Sequence, residues 1–325
     1  VIREDFSTIV RKVRIFSGLI LFAYVIMHLL NHSVNLFSIE AADAIRINYF
    51  RPIWQNPVGL FLLYGSLLAH LILGFASILN RKSFKMKGKD WMQIVFPVLA
   101  LLFLAQHIAI SFIITKIFGG EETYSLFFAA MNTEKPNDLI MGAIFFSLMT
   151  IFIWGHGVIG LDAYLKQQAA HHNRFMFYLR YSSIFRFIYW FVPIGAVLGF
   201  LSGLRNMSFI AQIQSFELGV ATQDYLLSII FKYIPQEAFP VIFQIEPIVM
   251  KYYPLFVLFV ILVCIFNVVR ARFFGRIIVS YPGGETVSIP KGTSILEASR
   301  KGKIPHQAIC GGRGRCTTCR IKVTA

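Results

Sequence analysis

The sequence predicts an all-α polytopic membrane bundle of six transmembrane helices, followed by a small soluble segment that mixes strands and helix. Three observations predict it. Hydrophobic residues make up 56% of the 325 and charged residues only 14%, the composition of a polytopic membrane protein. Six apolar stretches lie near residues 14–37, 57–80, 92–118, 138–165, 185–204 and 250–270, each long enough for a hydrocarbon core of about 30 Å. From Phe274 onward the composition is that of a water-soluble protein. The expected division is therefore a membrane domain over 1–273 and a soluble domain over 274–325.

The charge pattern orients the bundle. Lys and Arg number 31 against 16 acidic residues, a net charge of +15. In a soluble protein that excess points to nucleic acid. Here the basic residues sit in alternate loops: Arg3, Arg11, Lys12 and Arg14, then 81–89, then Lys166, Arg174 and Arg180, then Arg270, Arg272 and Arg276. The intervening loops carry only Arg46 and Arg51, and then Lys135. The positive-inside rule places both termini in the cytoplasm, with the lipid bilayer as the first partner. A location in a bacterial inner membrane follows from the resemblances given below. No basic face interleaved with aromatics lies outside the membrane ends, so no nucleic-acid partner is expected. No cleavable signal peptide is visible, and a first residue Val1 suggests a trimmed N-terminus.

Each of the first four spans carries a histidine well inside it: His28, His70, His107 and His156. Ionisable side chains in a bilayer are costly and by default mark a functional site facing the bundle interior. A helix rises about 1.5 Å per residue. His28 is 14 residues past Arg14 and His107 is 16 past Trp91, so both lie about 21–24 Å from the cytoplasmic surface. His70 is 11 residues before Arg81 and His156 is 10 before Lys166, about 15–16 Å deep. The four sort into an outer pair, His28 with His107, and an inner pair, His70 with His156. Two neutral imidazoles from facing helices are what axial ligation of a haem iron requires, so two b-type haems are expected. His32 lies one turn beyond His28 on the same face and competes with it as ligand, or acts beside it or at a quinone pocket. Gly18, Gly65, Ser66, Gly74, Gly155 and Gly157 flank the sites and would let a flat macrocycle approach the backbone; small residues also serve ordinary helix packing. A bundle with incidental histidines, structural or transporting, is the plainer alternative.

The string RIFSGLILFAYVIMHLLNHSVN resembles the first helix of the cytochrome b membrane anchors of succinate dehydrogenases and fumarate reductases. In that family a basic residue and a Ser-Gly pair precede the ligating histidine, with Leu and Asn after it; here these are Arg14, Ser17, Gly18, His28, Leu29 and Asn31. The resemblance implies one ligand from each of four helices, at His28, His70, His107 and His156. Those anchors usually have five helices and sit on separate flavin and iron–sulfur subunits, whereas this chain has six spans and its own cysteine-rich segment.

The longest outer segment, 205–249, reads as short interfacial helices capping the outer site, or as a linker packed on the bundle. His171 and His172 fall in a basic cytoplasmic loop and read as solvated. Cys264 reads as a buried packing thiol.

In the soluble segment IIVSY and ETVSI alternate around Pro-Gly-Gly, which predicts a β-hairpin. Thr293 and Ser294 can cap a short helix, SILEASRKG, ending at glycine. Then come Cys310, Cys316 and Cys319, spaced C-x5-C-x2-C among Gly311, Gly312 and Gly314. Thiolates hold iron–sulfur clusters; glycines allow close backbone approach; Arg313 and Arg315 favour thiolate over thiol. A C-x2-C pair alone also suits zinc or a thiol switch. The segment resembles a plant- or adrenodoxin-type [2Fe–2S] ferredoxin, which implies a partial β-grasp fold. That family has a fourth cysteine further downstream, which the resemblance places beyond Ala325; a foreign ligand is the other reading. The wording IPHQAICGGRGRCTTCRIKV, with His306 and Arg313, is similar to ferredoxin modules fused to bacterial class III adenylate cyclases. That likeness implies a membrane redox sensor, dimeric, regulating an attached cyclase, although nothing in residues 1–325 looks like a cyclase catalytic domain. The competing expectation is a quinone-linked oxidoreductase passing electrons between quinone and a soluble carrier.

Overall fold

A computed structural model describes residues 2–81, 84, 86, 88–133, 135–170, 182–273, 275–290 and 293–305. Six of its helices are long and apolar enough to cross a membrane, with spans at Ile9–Val34, Pro57–Leu79, Gly88–Ile117, Leu139–Lys166, Ser183–Leu218 and Gln236–Arg270. A small two-stranded region follows.

The first helix, α1 (Ile2–Val34), begins well before its apolar stretch. A short helix α2 (Ile39–Ile45) follows, capped by Ser38 Oγ accepting from Ala41 N at 3.0 Å. The chain turns back through α3 (Arg51–Trp54) into α4 (Pro57–Leu79). Asn56 caps α4, its Oδ1 accepting from the amides of Val58 and Gly59. Pro57 at the first helical position needs no donor partner. Helix α5 (Gly88–Phe112) carries Pro97 inside it and ends in a π-helical turn, Ile113–Ile117. A proline inside a span is tolerated where neighbouring helices satisfy the freed backbone groups. Helix α6 (Tyr124–Asn132) lies outside the spans, and α7 (Pro136–Ala170) returns. Helix α1 packs along α4 and along the fifth long helix, while α5 packs along α7.

The fifth and sixth long helices depart from expectation. Helix α8 (Ser183–Leu218) is 36 residues, and helix α10 (Phe239–Phe273) is 35. The segment 205–249 is thus not a run of interfacial helices. It holds the C-terminal end of α8, one short helix α9 (Thr222–Tyr233), a turn, and the first third of α10. The reason lies in α8's buried side. Met207, Ala211 and Ser215 continue the stripe begun by Gly195, Gly199 and Gly203, so tertiary packing holds the helix together after the residues turn polar. Helix α8 stops at Gly219, which takes φ 67°. Val220 N then donates to Ser215 O at 3.0 Å, closing the carbonyl end.

The largest buried cluster is at one end of the bundle, where α2, α6 and α9 gather on α8 around Phe128, Phe200 and Leu204. The soluble segment pairs β1 (Arg276–Ser280) with β2 (Thr286–Pro290), antiparallel, with Ile277 opposite Ile289 and Val279 opposite Val287. Gly284, φ 84°, supplies the left-handed residue of the hairpin turn. Helix α11 (Ile295–Lys301) follows, and Val287, Ile289 and Ala298 form its small core. Ser294 alone caps α11, in a reciprocal box with Glu297; Thr293 Oγ1 donates instead to Pro290 O at 2.7 Å.

Candidate functional site

The four span histidines meet in two pairs. The ring centroids of His28 (α1) and His107 (α5) are 6.1 Å apart. Those of His70 (α4) and His156 (α7) are 6.0 Å apart. A metal–imidazole bond of about 2 Å, and about 1 Å more to the ring centre, put two rings on opposite sides of one metal about 6 Å apart. Both separations fit. The rings are inclined at 48° in the outer pair and 74° in the inner pair. Among the described residues no group of three or more His, Cys, Asp or Glu is placed to hold a metal ion. Axial haem ligation needs only two side chains, because the macrocycle supplies the rest.

The inner pair is held by a socket on α1. His70 Nδ1 lies 3.1 Å from the carbonyl oxygen of Arg14 and 3.3 Å from Ser17 Oγ. A carbonyl only accepts, so Nδ1 carries the proton and donates it. Ser17 Oγ spends its own hydrogen on the same carbonyl at 3.1 Å, so it too accepts from Nδ1. That tautomer leaves Nε2 with its lone pair, the orientation that ligating histidines obtain from backbone or carboxylate partners. Gly18 makes the approach possible: a Cβ there would stand 2.8 Å from His70 Cε1. Opposite, the carbonyl of His156 accepts from Gln93 Nε2 at 2.8 Å. His156 Nδ1 is buried with no hydrogen-bond partner, a costly state for an imidazole nitrogen unless something binds it or displaces the ring.

The outer pair carries a third imidazole. His32 Nε2 is 3.2 Å from His28 Nε2. Tyr24 stacks on the other side of His28, rings 5.5 Å apart and nearly parallel. Above His32 sits Tyr124 of α6, edge-on at 5.1 Å. Asn31 Nδ2 donates to the Tyr124 hydroxyl and to Ala42 O, each at 3.2 Å. Burial pushes the Tyr124 phenol well above its ordinary range, so it stays neutral. Asp43 of α2 fastens α6 over the site: its carboxylate accepts from Tyr124 N at 2.7 Å, Ser125 N at 3.3 Å and Ser125 Oγ at 3.1 Å. An anion at a helix N-terminus is favourable both to the amides and to the dipole.

Sequence reasoning missed one motif and one pairing. Arg14, Ser17 and Gly18 precede His28 in sequence and contact His70 of α4, because α1 and α4 pack side by side. The spaces at Gly18, Gly155 and Gly157 are not open to a macrocycle; they are filled by His70, Phe96 and Phe22. Gly65 and Gly74 do face open space. The missed residues are Gly195, Gly199 and Gly203 of α8. A Cβ at Gly199 would collide with the His32 carbonyl, one at Gly195 with Ser33, and one at Gly203 with the Phe128 ring. The signal was glycine at every fourth position in IGAVLGFLSGL, which brings helix backbones close. Cys264 is buried among the span helices. Cys310, Cys316 and Cys319, with His171, His172, His306 and Arg313, lie outside the described residues.

The family described as a 2Fe-2S iron–sulfur cluster binding domain matches residues 280–325. That stretch holds the second strand, α11 and all three loop cysteines. Neither the curated proteins nor the solved structures give a match. The chain thus joins six candidate membrane spans to a 2Fe-2S cluster-binding domain. A ferredoxin domain on an integral membrane protein implies a role in electron transfer.

Proposed function

We propose that the membrane domain binds two b-type haems, the outer held by His28 and His107 and the inner by His70 and His156, and that the chain carries electrons between the membrane and the [2Fe–2S] domain. One observation supports this above the others: two histidine pairs on four separate helices, each with ring centres about 6 Å apart, the spacing of axial ligands. Haem iron bound there would supply one-electron chemistry. The chain's own residues do the rest. Arg14 O and Ser17 Oγ fix the tautomer of His70. The Asp43-anchored α6 and the Tyr124 ring cover the outer pair and exclude water. His32 sits in contact with His28 and either shares the ligand role or braces it. Cys310, Cys316 and Cys319 supply three thiolates to the cluster, with the fourth ligand downstream.

The finer reading is a redox sensor in a bacterial inner membrane, with both termini cytoplasmic, that responds to a donor such as a quinol and regulates an attached class III adenylate cyclase. The cyclase-type wording around Cys310 supports it. The second reading is a quinone-linked oxidoreductase subunit with a fused ferredoxin, supported by the 2Fe-2S match, which marks electron transfer and no nucleotide chemistry. Purified full-length protein tests the haem proposal: pyridine haemochrome should count about two haems per chain. His70→Ala or His156→Ala should remove the inner haem and spare the outer. Absence of haem overturns the proposal, and loss of both haems from either change overturns the pairing.

A further inference from the structure

The cluster domain is basic, and it begins where a span ends. From Arg276 to Ala325 nine Lys and Arg stand against two acids, Glu285 and Glu297, a net charge of +7. Helix α10 ends at Phe273, three residues past Arg270, the last residue of the sixth candidate span. That is about 4–5 Å beyond the apolar stretch. The headgroup layer adds about 5–8 Å on each side of the hydrocarbon core, so Phe273 lies at headgroup depth. Gly275, φ 69°, turns the chain out of the helix, and both strands of the hairpin touch the end of α10. In the antiparallel register Ile278 lies opposite Ser288, and Arg276 shares their face. Val279, Val287 and Ile289 take the other face, which α11 covers. On the first face Ile278 is 73% exposed, and Phe273 is 69% exposed just before the strand. Two cations are fixed beside it. Arg276 donates through Nε to Ser288 Oγ at 2.9 Å and through Nη2 to Ser288 O at 2.8 Å. Lys301, the last residue of α11, donates through Nζ to the same carbonyl at 2.6 Å. A carbonyl holds these groups in place without neutralising them, and an ammonium has three donors of which Ser288 takes one. The two acids are elsewhere: Glu285 sits in the turn at the far end of the hairpin, and Glu297 closes the capping box of α11.

We propose that this face of the hairpin docks on the anionic headgroups of the membrane that α10 crosses, with Phe273 and Ile278 in the headgroup layer and Arg276 and Lys301 on lipid phosphates. Cations beside exposed apolar side chains are the composition of a segment that lies on a lipid surface. Each Lys or Arg close to an anionic leaflet strengthens the attraction about fivefold. Two charges and two apolar side chains would hold a free protein weakly. Here only two residues separate Phe273 from Arg276, so docking is intramolecular and works at high effective concentration. An acidic protein partner would use the same charge but would leave Phe273, already at headgroup depth, without a role. The orientation of the cluster domain at the end of α10 then depends on the charge of the leaflet, and in neutral lipid that hold is lost. The inference rests on the membrane spans, and not on haem.

Full-length protein carrying the photo-cross-linker p-benzoylphenylalanine in place of Ile278 is reconstituted into nanodiscs of phosphatidylcholine alone, or of equal parts phosphatidylcholine and phosphatidylglycerol, and irradiated. Mass spectrometry should find lipid adducts at position 278 in the anionic discs and few in the neutral ones. The same cross-linker in place of Glu285, at the far turn, should give few in either. Arg276→Gln with Lys301→Gln keeps a donor for Ser288 and removes both charges. It should lower the ratio of docked to undocked domain about 25-fold, fivefold for each charge, while the paramagnetic signal of a reduced [2Fe–2S] centre persists. High salt should weaken docking in the same direction without those substitutions. Equal adduct yields in neutral and anionic discs would overturn the proposal. So would adducts only to downstream residues of this chain, or, in native membranes, only to another protein. Because no arm requires haem, a haem-free protein that still gives lipid adducts would count against the proposed function alone.

Discussion

Ser17 and Gly18 show how much one side chain, or its absence, does here. Ser17 is 6% exposed and shares the Arg14 carbonyl with His70 Nδ1. Gly18 leaves room for the imidazole. Gly18→Val should therefore displace His70. The expected result is loss of the proposed inner haem, or a fall in its affinity of about 10- to 100-fold, typical when the partner orienting a ligating histidine is lost. The outer haem's absorbance should persist. Ser17→Ala keeps the carbonyl partner and should act more gently, as a shift of the inner midpoint potential with stoichiometry intact. Redox titration of the two variants distinguishes the outcomes, and an unchanged inner haem in Gly18→Val would remove the socket from the account.

Helices α2, α6 and α8 act as clamps on α1. Asp43 joins α2 to the first turn of α6 through three hydrogen bonds. Asp43→Ala leaves those amides without their partner, at a cost of about 1–2 kcal/mol. Thermal unfolding of the solubilised protein should register that loss, and the outer site should become accessible to small haem ligands such as carbon monoxide. On the other side Gly199 lets α8 touch the His32 carbonyl. Gly199→Leu forces α1 and α8 apart and should broaden or abolish the signal of the proposed outer haem while sparing the inner, which α1 holds nearer its other end, through Arg14 to Gly18 and Phe22. Equal damage to both signals would mean that the four helices respond as a single body.

Taken as a whole, the chain puts an electron carrier at the end of its last span. Helix α10 runs to Phe273 and β1 starts at Arg276, so the linker is too short to let the cluster domain stray from the end of the last span. With Cys310, Cys316 and Cys319 as ligands, Cys316→Ser in full-length protein should abolish the paramagnetic signal of a reduced [2Fe–2S] centre. The proposed cyclase output is checked by measuring cyclic-nucleotide production at oxidising and reducing poise, with His70→Ala and Cys316→Ser alongside. A redox-gated enzyme should change activity by about 5- to 150-fold, the span of coupling energies of 1–3 kcal/mol. Equal activity in every state would reject the gate and favour the electron-carrying reading.

Much of this is written in one dimension. Span number and the inward placement of histidine follow from apolar length and the cost of ionisable groups in lipid, both local properties of the chain. The hairpin around Pro-Gly-Gly and the Ser294-capped helix are equally local, since turn and cap chemistry involve near neighbours. The loop cysteines declare themselves by spacing. Other features depend on which helices lie side by side, and periodicity carries no such information. The motif on α1 serves His70 on α4 because those two helices pack together. Gly195 and Gly199 of α8 matter because α1 crosses them, and Gly203 because α6 does. Helix α8 outlasts its apolar stretch because α6 and α9 bury one of its sides, a contact that hydropathy, read one residue after another, does not contain.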